Sequence, residues 1–154
     1  MKLFVSTFVN RIDKKGRISF PSIFRNALPR DYTNEIILYK SLRLNSIEGC
    51  SVKRINEIAS RINDLDFFSE DQEDFSTSIF SEIVPTNLDS EGRFVIPEKL
   101  KIFADISNEA AFVGQGYYFQ ILEPKKAIQK QEQARQRLVK QKKSLRSILA
   151  GQKK

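Results

Sequence analysis

Two arginines in this chain stand in the same short frame. Asp13, Gly16, Arg17 and Pro21 recur as Asp89, Gly92, Arg93 and Pro97, each displaced by 76 residues. These residue types specify a chemistry. An aspartate accepts hydrogen bonds from backbone amides two residues on, and a glycine takes the positive φ that a tight connection needs. An arginine directly after that glycine presents a planar fork, able to grip a guanine edge or a phosphate with two N–H groups at once. Arg11, Lys14 and Lys15 surround the first arginine and suit phosphate contacts. The second copy carries Ser90 and Glu91 in place of the two lysines. Glu91 repels phosphate, so the first turn is expected to dominate affinity. Each arginine also has a plainer role open to it, as a solvated turn residue or as a partner of the Asp four residues earlier. Duplication weighs against the plainer roles. Two such turns about a pseudo-twofold axis would project their arginines together from neighbouring β-ribbons, and a two-stranded ribbon fits the DNA major groove. Asp13, Gly16, Asp89 and Gly92 are assigned to forming the turns.

The elements around the turns repeat as well. Ile12, Ile18 and Phe20 align with Leu88, Phe94 and Ile96, and beyond the prolines Phe24 aligns with Leu100 and Arg25 with Lys101. A second block follows at an offset of 74, where 35–39 meets 109–113 and Ile47 meets Ile121. Runs of Val, Ile and Phe on either side of each turn predict strands. Pro21 suits the first position of a helix, with Ile23, Phe24, Ala27 and Leu28 on one face and Pro29 ending it. Pro97, Leu100, Phe103 and Ala104 repeat that helix. Further strands are expected at 35–39, 45–48, 110–113 and 117–122, with Gly114 and Gly116 shaping the last hairpin. Between the copies, Ile55, Ile58, Ala59 and Ile62 follow a helical period behind Ser51 as N-cap. An acidic linker with Phe67 and Phe68 spans 64–74. A long helix is expected over 125–149, with Ala127, Ala134, Leu138, Leu145, Ile148 and Leu149 in a narrow apolar stripe. The division is then a first unit at 1–50, a helical linker at 51–81, a second unit at 82–124 and a basic C-terminal helix or tail at 125–154.

Charge and composition narrow the function classes. The net charge is +7, but 125–154 holds eleven Lys or Arg against Glu132 alone, a net +10 that leaves −3 for 1–124. The tail admits three readings: a solvated helix face, a phosphate-attracting arm, or a membrane-surface helix, the last weakened by its narrow stripe. With no histidine and one cysteine, Cys50, the chain lacks the commonest general base and metal ligand. No Gly-Lys-Ser/Thr loop or Gly-x-Ser-x-Gly elbow is present, and Gly114-Gln115-Gly116 lacks the third glycine of a dinucleotide site. The expectation is a protein that is not an enzyme and uses no cofactor, metal or small-molecule substrate. No apolar run approaches the ~18 residues of a membrane span, and 1–8 has no signal-peptide core. A cytoplasmic protein without membrane attachment is expected.

The doubled Asp-x-x-Gly-Arg-x-x-x-Pro frame, with the hairpin Val113-Gly114-Gln115-Gly116-Tyr117-Tyr118-Phe119-Gln120-Ile121, resembles the MraZ family of bacterial regulators over 1–124. The related AbrB/MazE group carries one such unit per chain. The resemblance implies a duplicated swapped-hairpin, AbrB-like β-barrel; with the short helices and the long C-terminal helix read above, the expected fold is α+β and β-rich. It implies ring-shaped homo-oligomers that bind short direct repeats in double-stranded promoter DNA, usually of the family's own division and cell-wall gene cluster, and so a nucleoid association. By motif position, Lys15, Arg17 and Arg93 become DNA contacts. Two rival readings stay open. One is an oligomeric scaffold or antitoxin-like protein whose duplicated unit binds protein. The other is a non-specific nucleoid or RNA-coating protein driven by the tail.

Overall fold

Each Asp-x-x-Gly-Arg turn sits between a strand and a short partner strand, and neither pairs within its own copy. In the computed structural model, which describes residues 2–66 and 69–151, β1 (Thr7–Arg11) leads into the first turn and β2 (Arg17–Ser19) leaves it. The equivalents around the second turn are β5 (Val84–Asn87) and β6 (Arg93–Val95). Phe67 and Phe68 of the linker and Lys153 and Lys154 of the tail lie outside the described residues. The remaining strands are β3 (Glu35–Lys40), β4 (Ile47–Cys50), β7 (Glu109–Gly114) and β8 (Phe119–Leu122). Strand β1 pairs with β7 of the other copy, β5 pairs with β3, and β2 pairs with β6, all antiparallel.

The result is an α+β fold with a six-stranded antiparallel sheet, ordered β1-β7-β8-β4-β3-β5, and a separate β2-β6 ribbon. Among the described residues no ladder joins β1 to β5, so the barrel implied by the resemblance is met as an open sheet plus a ribbon. The pairing is unchanged when the copies are exchanged. Ile18 faces Phe94 at the centre of the ribbon, and Glu48 faces Gln120 at the centre of the β4–β8 pair. This register corrects one alignment. Cys50 partners Ile37 and Leu122 partners Ala111, so β4 and β8 are offset by 72 residues, and Ile47 and Ile121 are cross-strand partners, not equivalents.

Phenylalanine fills the interior. Phe24, fully buried, meets the rings of Phe4, Phe8, Phe20, Phe112 and Phe119 at centroid distances of 5.4, 5.7, 5.8, 6.4 and 5.6 Å. Most of these pairs are edge-to-face, the geometry favoured by the ring quadrupole. Helices α1 (Ser22–Ala27) and α4 (Glu98–Phe103) bury Phe24, Ala27 and Leu100 in this core. Both prolines sit one residue earlier than expected, as N-caps. Ile23 is exposed, because a helix of six residues turns only one narrow side inward.

A second, smaller core lies on the other face of β3 and β4, where Ile37, Tyr39 and Cys50 meet Ile55, Ile58 and Phe80. It receives α2 (Val52–Asn63), whose N-cap Ser51 accepts a hydrogen bond from the Arg54 amide. The acidic linker is half helical: α3 (Glu70–Ser78) starts at Ser69, whose hydroxyl accepts from the Gln72 amide. Ser69-x-x-Gln72 with acids in the first turn is a capping-box pattern.

The chain divides into two compact units, Met1–Glu123 and Pro124–Lys154. The expected long helix of the second is two helices, α5 (Pro124–Lys140) and α6 (Leu145–Gly151). Lys142 takes φ +56°, and the Lys143 amide bonds back to the Leu138 carbonyl, a helix-ending motif. Ser144 and Ser147 then exchange amide-to-hydroxyl bonds of 2.9 and 3.2 Å that start α6.

Phe24→Ala removes the ring on which the aromatic cluster converges. It is expected to lower stability by about 3–5 kcal/mol, read as a shift in the urea unfolding midpoint with an unchanged m-value.

Candidate nucleic-acid interface

The bonding of the two turns is nearly the same. In the first, the Gly16 amide bonds the Asp13 carbonyl at 3.0 Å and the Asp13 amide bonds the Arg17 carbonyl at 2.8 Å. In the second, Gly92 and Asp89 repeat this at 3.0 Å, and Asp89 and Arg93 at 2.8 Å. Asp13 Oδ1 accepts the amides of Lys15 and Arg17 at 2.9 and 2.8 Å, and Asp89 Oδ1 accepts those of Glu91 and Arg93, both at 2.9 Å. Gly16 and Gly92 take φ +81° and +77°, a conformation strained for any residue with a Cβ. The turn-forming roles of Asp13, Gly16, Asp89 and Gly92 follow from these bonds.

Each carboxylate also holds its arginine. Arg17 Nε donates to Asp13 Oδ2 at 2.8 Å, and Arg93 Nε donates to Asp89 Oδ2 at 3.1 Å. The Asp–Arg pairing expected as a plainer role is therefore present, and it uses Nε in both. The second turn adds Arg93 Nη2 to Glu91 Oε2 at 3.4 Å, so Glu91 engages part of the fork as well as adding negative charge.

The ribbon sets where these arginines point. In β2 and β6 the middle residues, Ile18 and Phe94, are buried at 1% and 3% exposure. Strand alternation then puts Arg17, Ser19, Arg93 and Val95 together on the outward face. Arg17 pairs with Val95 and Arg93 with Ser19, which makes the two arginines diagonal neighbours about 7–8 Å apart. They project from one shared ribbon, one arginine per strand, where two neighbouring ribbons were expected. The Asn10 side-chain amide ties β1 to this ribbon through the Ser19 carbonyl at 2.8 Å.

Lys14 and Lys15 are exposed at the first turn's tip, and Arg11 is exposed at the end of β1, in register with Glu109. These residues, with Arg17, collect at the first turn. Sequence reasoning missed Ser19 and Val95, which the period-two pattern of each strand already placed beside the arginines. It also missed Arg25, whose guanidinium lies against Gly92 of the other copy. The contact crosses between copies and has no local sequence signal.

Cys50 is fully buried, and burial pushes its thiol up to about 12. Among the described residues no cluster of His, Cys, Asp or Glu could hold a metal ion, and no helix is long and apolar enough to cross a membrane.

No family model matches the chain. The transcriptional regulator MraZ of Rickettsia rickettsii (strain Sheila Smith) is 40% identical over 124 residues, 80% of this chain and 83% of that protein. The protein of the same name from Rickettsia bellii (strain OSU 85-389) is 42% identical over 125 residues, again 80% and 83%.

The turn aspartates carry a pH signature. The backbone amide of Arg17 holds the Asp13 carboxyl below its ordinary value, and that of Arg93 does the same for Asp89. A depressed carboxyl contributes order above the ordinary carboxylate pKa of about 3.9, and the contribution is lost as pH falls through the lowered native value. Carboxyl carbon NMR should place both titrations below the ordinary carboxylate value of about 3.9. The Arg17 and Arg93 Nε–H signals should broaden over the same acid range.

Proposed function

The chain belongs to the MraZ family of transcriptional regulators, and from that premise we propose that it binds double-stranded promoter DNA in a sequence-specific way through the shared β2–β6 ribbon. The observation that carries this reading is the pair of diagonal arginines on one outward face, each fixed by the same aspartate geometry. A two-stranded ribbon enters the major groove, where an arginine fork reads guanine. In this reading Arg17 and Arg93 contact bases, while Arg11, Lys14 and Lys15 hold phosphates and fix register.

The finer features of the proposal come from the family. The units at 1–50 and 82–124 act as two swapped-hairpin, AbrB-like halves, joined by 51–81. The exchange of β1 and β5 between copies supports that description. The chain assembles as a homo-oligomeric ring on short direct repeats upstream of its own division and cell-wall gene cluster. Linked modules then act at high effective concentration, which offsets the small energy of a two-arginine contact. The working site is the cytoplasmic nucleoid, and the regulator is not an enzyme. The basic tail supplies attraction to phosphate that does not depend on sequence.

Binding to the DNA upstream of the protein's own gene, against scrambled DNA of equal length, tests this at fixed moderate salt. The wild type should prefer the upstream DNA. Arg17→Ala/Arg93→Ala should lose that preference, at about 1–3 kcal/mol per arginine, while sedimenting as the same assembly. Equal binding to both DNAs by the wild type would sink the proposal.

The tail makes a separate expectation. Exchanging Lys140, Lys142, Lys143 and Arg146 for Gln should weaken both DNAs by one factor. The slope of log K against log salt should fall by roughly 0.9 per cation, with the preference ratio intact.

A further inference from the structure

The two turns differ in charge more than in shape. Residues 13–17 carry Asp13 against Lys14, Lys15 and Arg17, a net +2, whereas 89–93 carry Asp89 and Glu91 against Arg93, a net −1. Taken alone, the second turn would be a poor surface to bring against a phosphate backbone. The structure places one more cation beside it. Arg25, near the end of α1 in the first copy, lays its side chain against Gly92 of the second turn. A methyl group added to Gly92 would lie 2.9 Å from Arg25 Nη1, 3.6 Å from Cζ and 3.7 Å from Cδ. Gly92 is buried as a result, whereas the same construction at Gly16 meets nothing within 4 Å.

The position is held from two sides. The Arg25 amide bonds the Pro21 carbonyl at 2.9 Å, which fixes the stem in α1. Arg25 Nη2 approaches Asn34 Oδ1 at 3.5 Å, and the Asn34 carbonyl in turn accepts the Leu88 amide at 2.7 Å, one residue before Asp89. No carboxylate pairs with Arg25 among the described ion pairs. Its charge raises the local sum at the second turn from −1 to neutral. The position equivalent to Arg25 in the second copy is Lys101, and the first turn has Lys14 and Lys15 in its own loop.

We infer that Arg25 is a phosphate-contacting residue of the second turn, supplied from the other copy in place of the lysines that Ser90 and Glu91 displace. The inference rests on the DNA-binding reading above and deepens it. Arg93 reads a base while Arg25 neutralises the phosphate beside it, so the second turn contacts DNA despite Glu91. Gly92 serves two ends here, as it allows the positive φ and leaves room for the guanidinium.

The test uses the full chain with Arg25→Gln, Arg25→Lys and Arg25→Gln/Glu91→Lys, against upstream and scrambled DNA across a salt series. Arg25→Gln should lower the slope of log K against log salt by about 0.9 and weaken both DNAs by the same several-fold factor. Arg25→Lys should restore the slope, and so should Glu91→Lys, which supplies the cation from within the turn. An unchanged slope in Arg25→Gln would overturn the inference and leave Arg25 a packing residue. So would a loss of preference at unchanged slope, since that marks a residue acting only through the posture of Arg93. If Arg25→Gln fails to fold, the wild type decides: its Arg25 Nε–H signal should shift with those of Arg17 and Arg93 as DNA is added, and an unmoved signal refutes the contact. A wild type without preference for the upstream DNA sinks the DNA reading itself, a result separate from any change in slope.

Discussion

The main-chain pairing of the two copies across one another is the constraint on which everything else in this fold depends. The Asp-centred turn brings the chain around within five residues, from Asp13 to Arg17, and β1 and β2 then part. Unpaired backbone groups near a core are costly, so each strand must find a partner. β1 finds β7 and β2 finds β6, both in the other copy. Arg11 is therefore in register with Glu109, across most of the compact unit Met1–Glu123. Such distant pairing couples the copies into one folding event, because neither half-sheet is satisfied before the other arrives. The same exchange puts Arg17 and Arg93 on one face. A single copy owns one strand of the ribbon, so a two-arginine surface exists only where two copies meet.

What the sequence disclosed and what it withheld divide by range. The turns were legible because their bonds are local: Asp13 reaches amides two and four residues on, and the glycine follows from the φ required. Helix α2 was legible because Ile55, Ile58 and Ile62 keep a helical period behind Ser51. The capping pattern of Ser69 and Gln72 was equally present, yet the acidic run around it read as a linker. Likewise Ser144 and Ser147 marked the start of α6, but the heptad spacing of Ala127, Ala134 and Ile148 carried the eye through the break. The offset of β4 and β8 was out of reach of residue matching. Ile47 and Ile121 are alike because they face each other, and cross-strand partners under a twofold invite confusion with equivalents. The contact of Arg25 with Gly92, and the sharing of a single ribbon, depend on pairing between copies that composition does not encode.

Two carboxylates bear on Arg93, and they act in opposite senses. Asp89 accepts the backbone of the turn and holds Nε, so it fixes the side chain while engaging only one edge of the guanidinium. Glu91 reaches Nη2, a terminal amino group outside the Asp89 bond. At 68% side-chain exposure Glu91 is well solvated, so its hold is weak and easily exchanged. Asp89 is different, because losing it would also release the amides of Glu91 and Arg93. The aspartates thus hold both the turn backbone and the arginine side chains in place.

The Asp–Arg pair, which on a bare sequence looks like a reason for the arginine to do nothing, serves the proposed DNA contact once its geometry is known. An arginine side chain carries about 2 kcal/mol of rotamer entropy, and a ligand that must order a free one forfeits part of its binding energy. Anchoring at Nε restricts that freedom before any ligand arrives, and the two terminal amino groups of Arg17 lie outside the bond. The cost is a nearby negative charge, which the first turn offsets with Lys14 and Lys15 from its own loop. The second turn has no such lysines and instead lies under Arg25. One structural unit used twice thus reaches a similar end from different residues, and the second solution is possible only because the copies are interleaved.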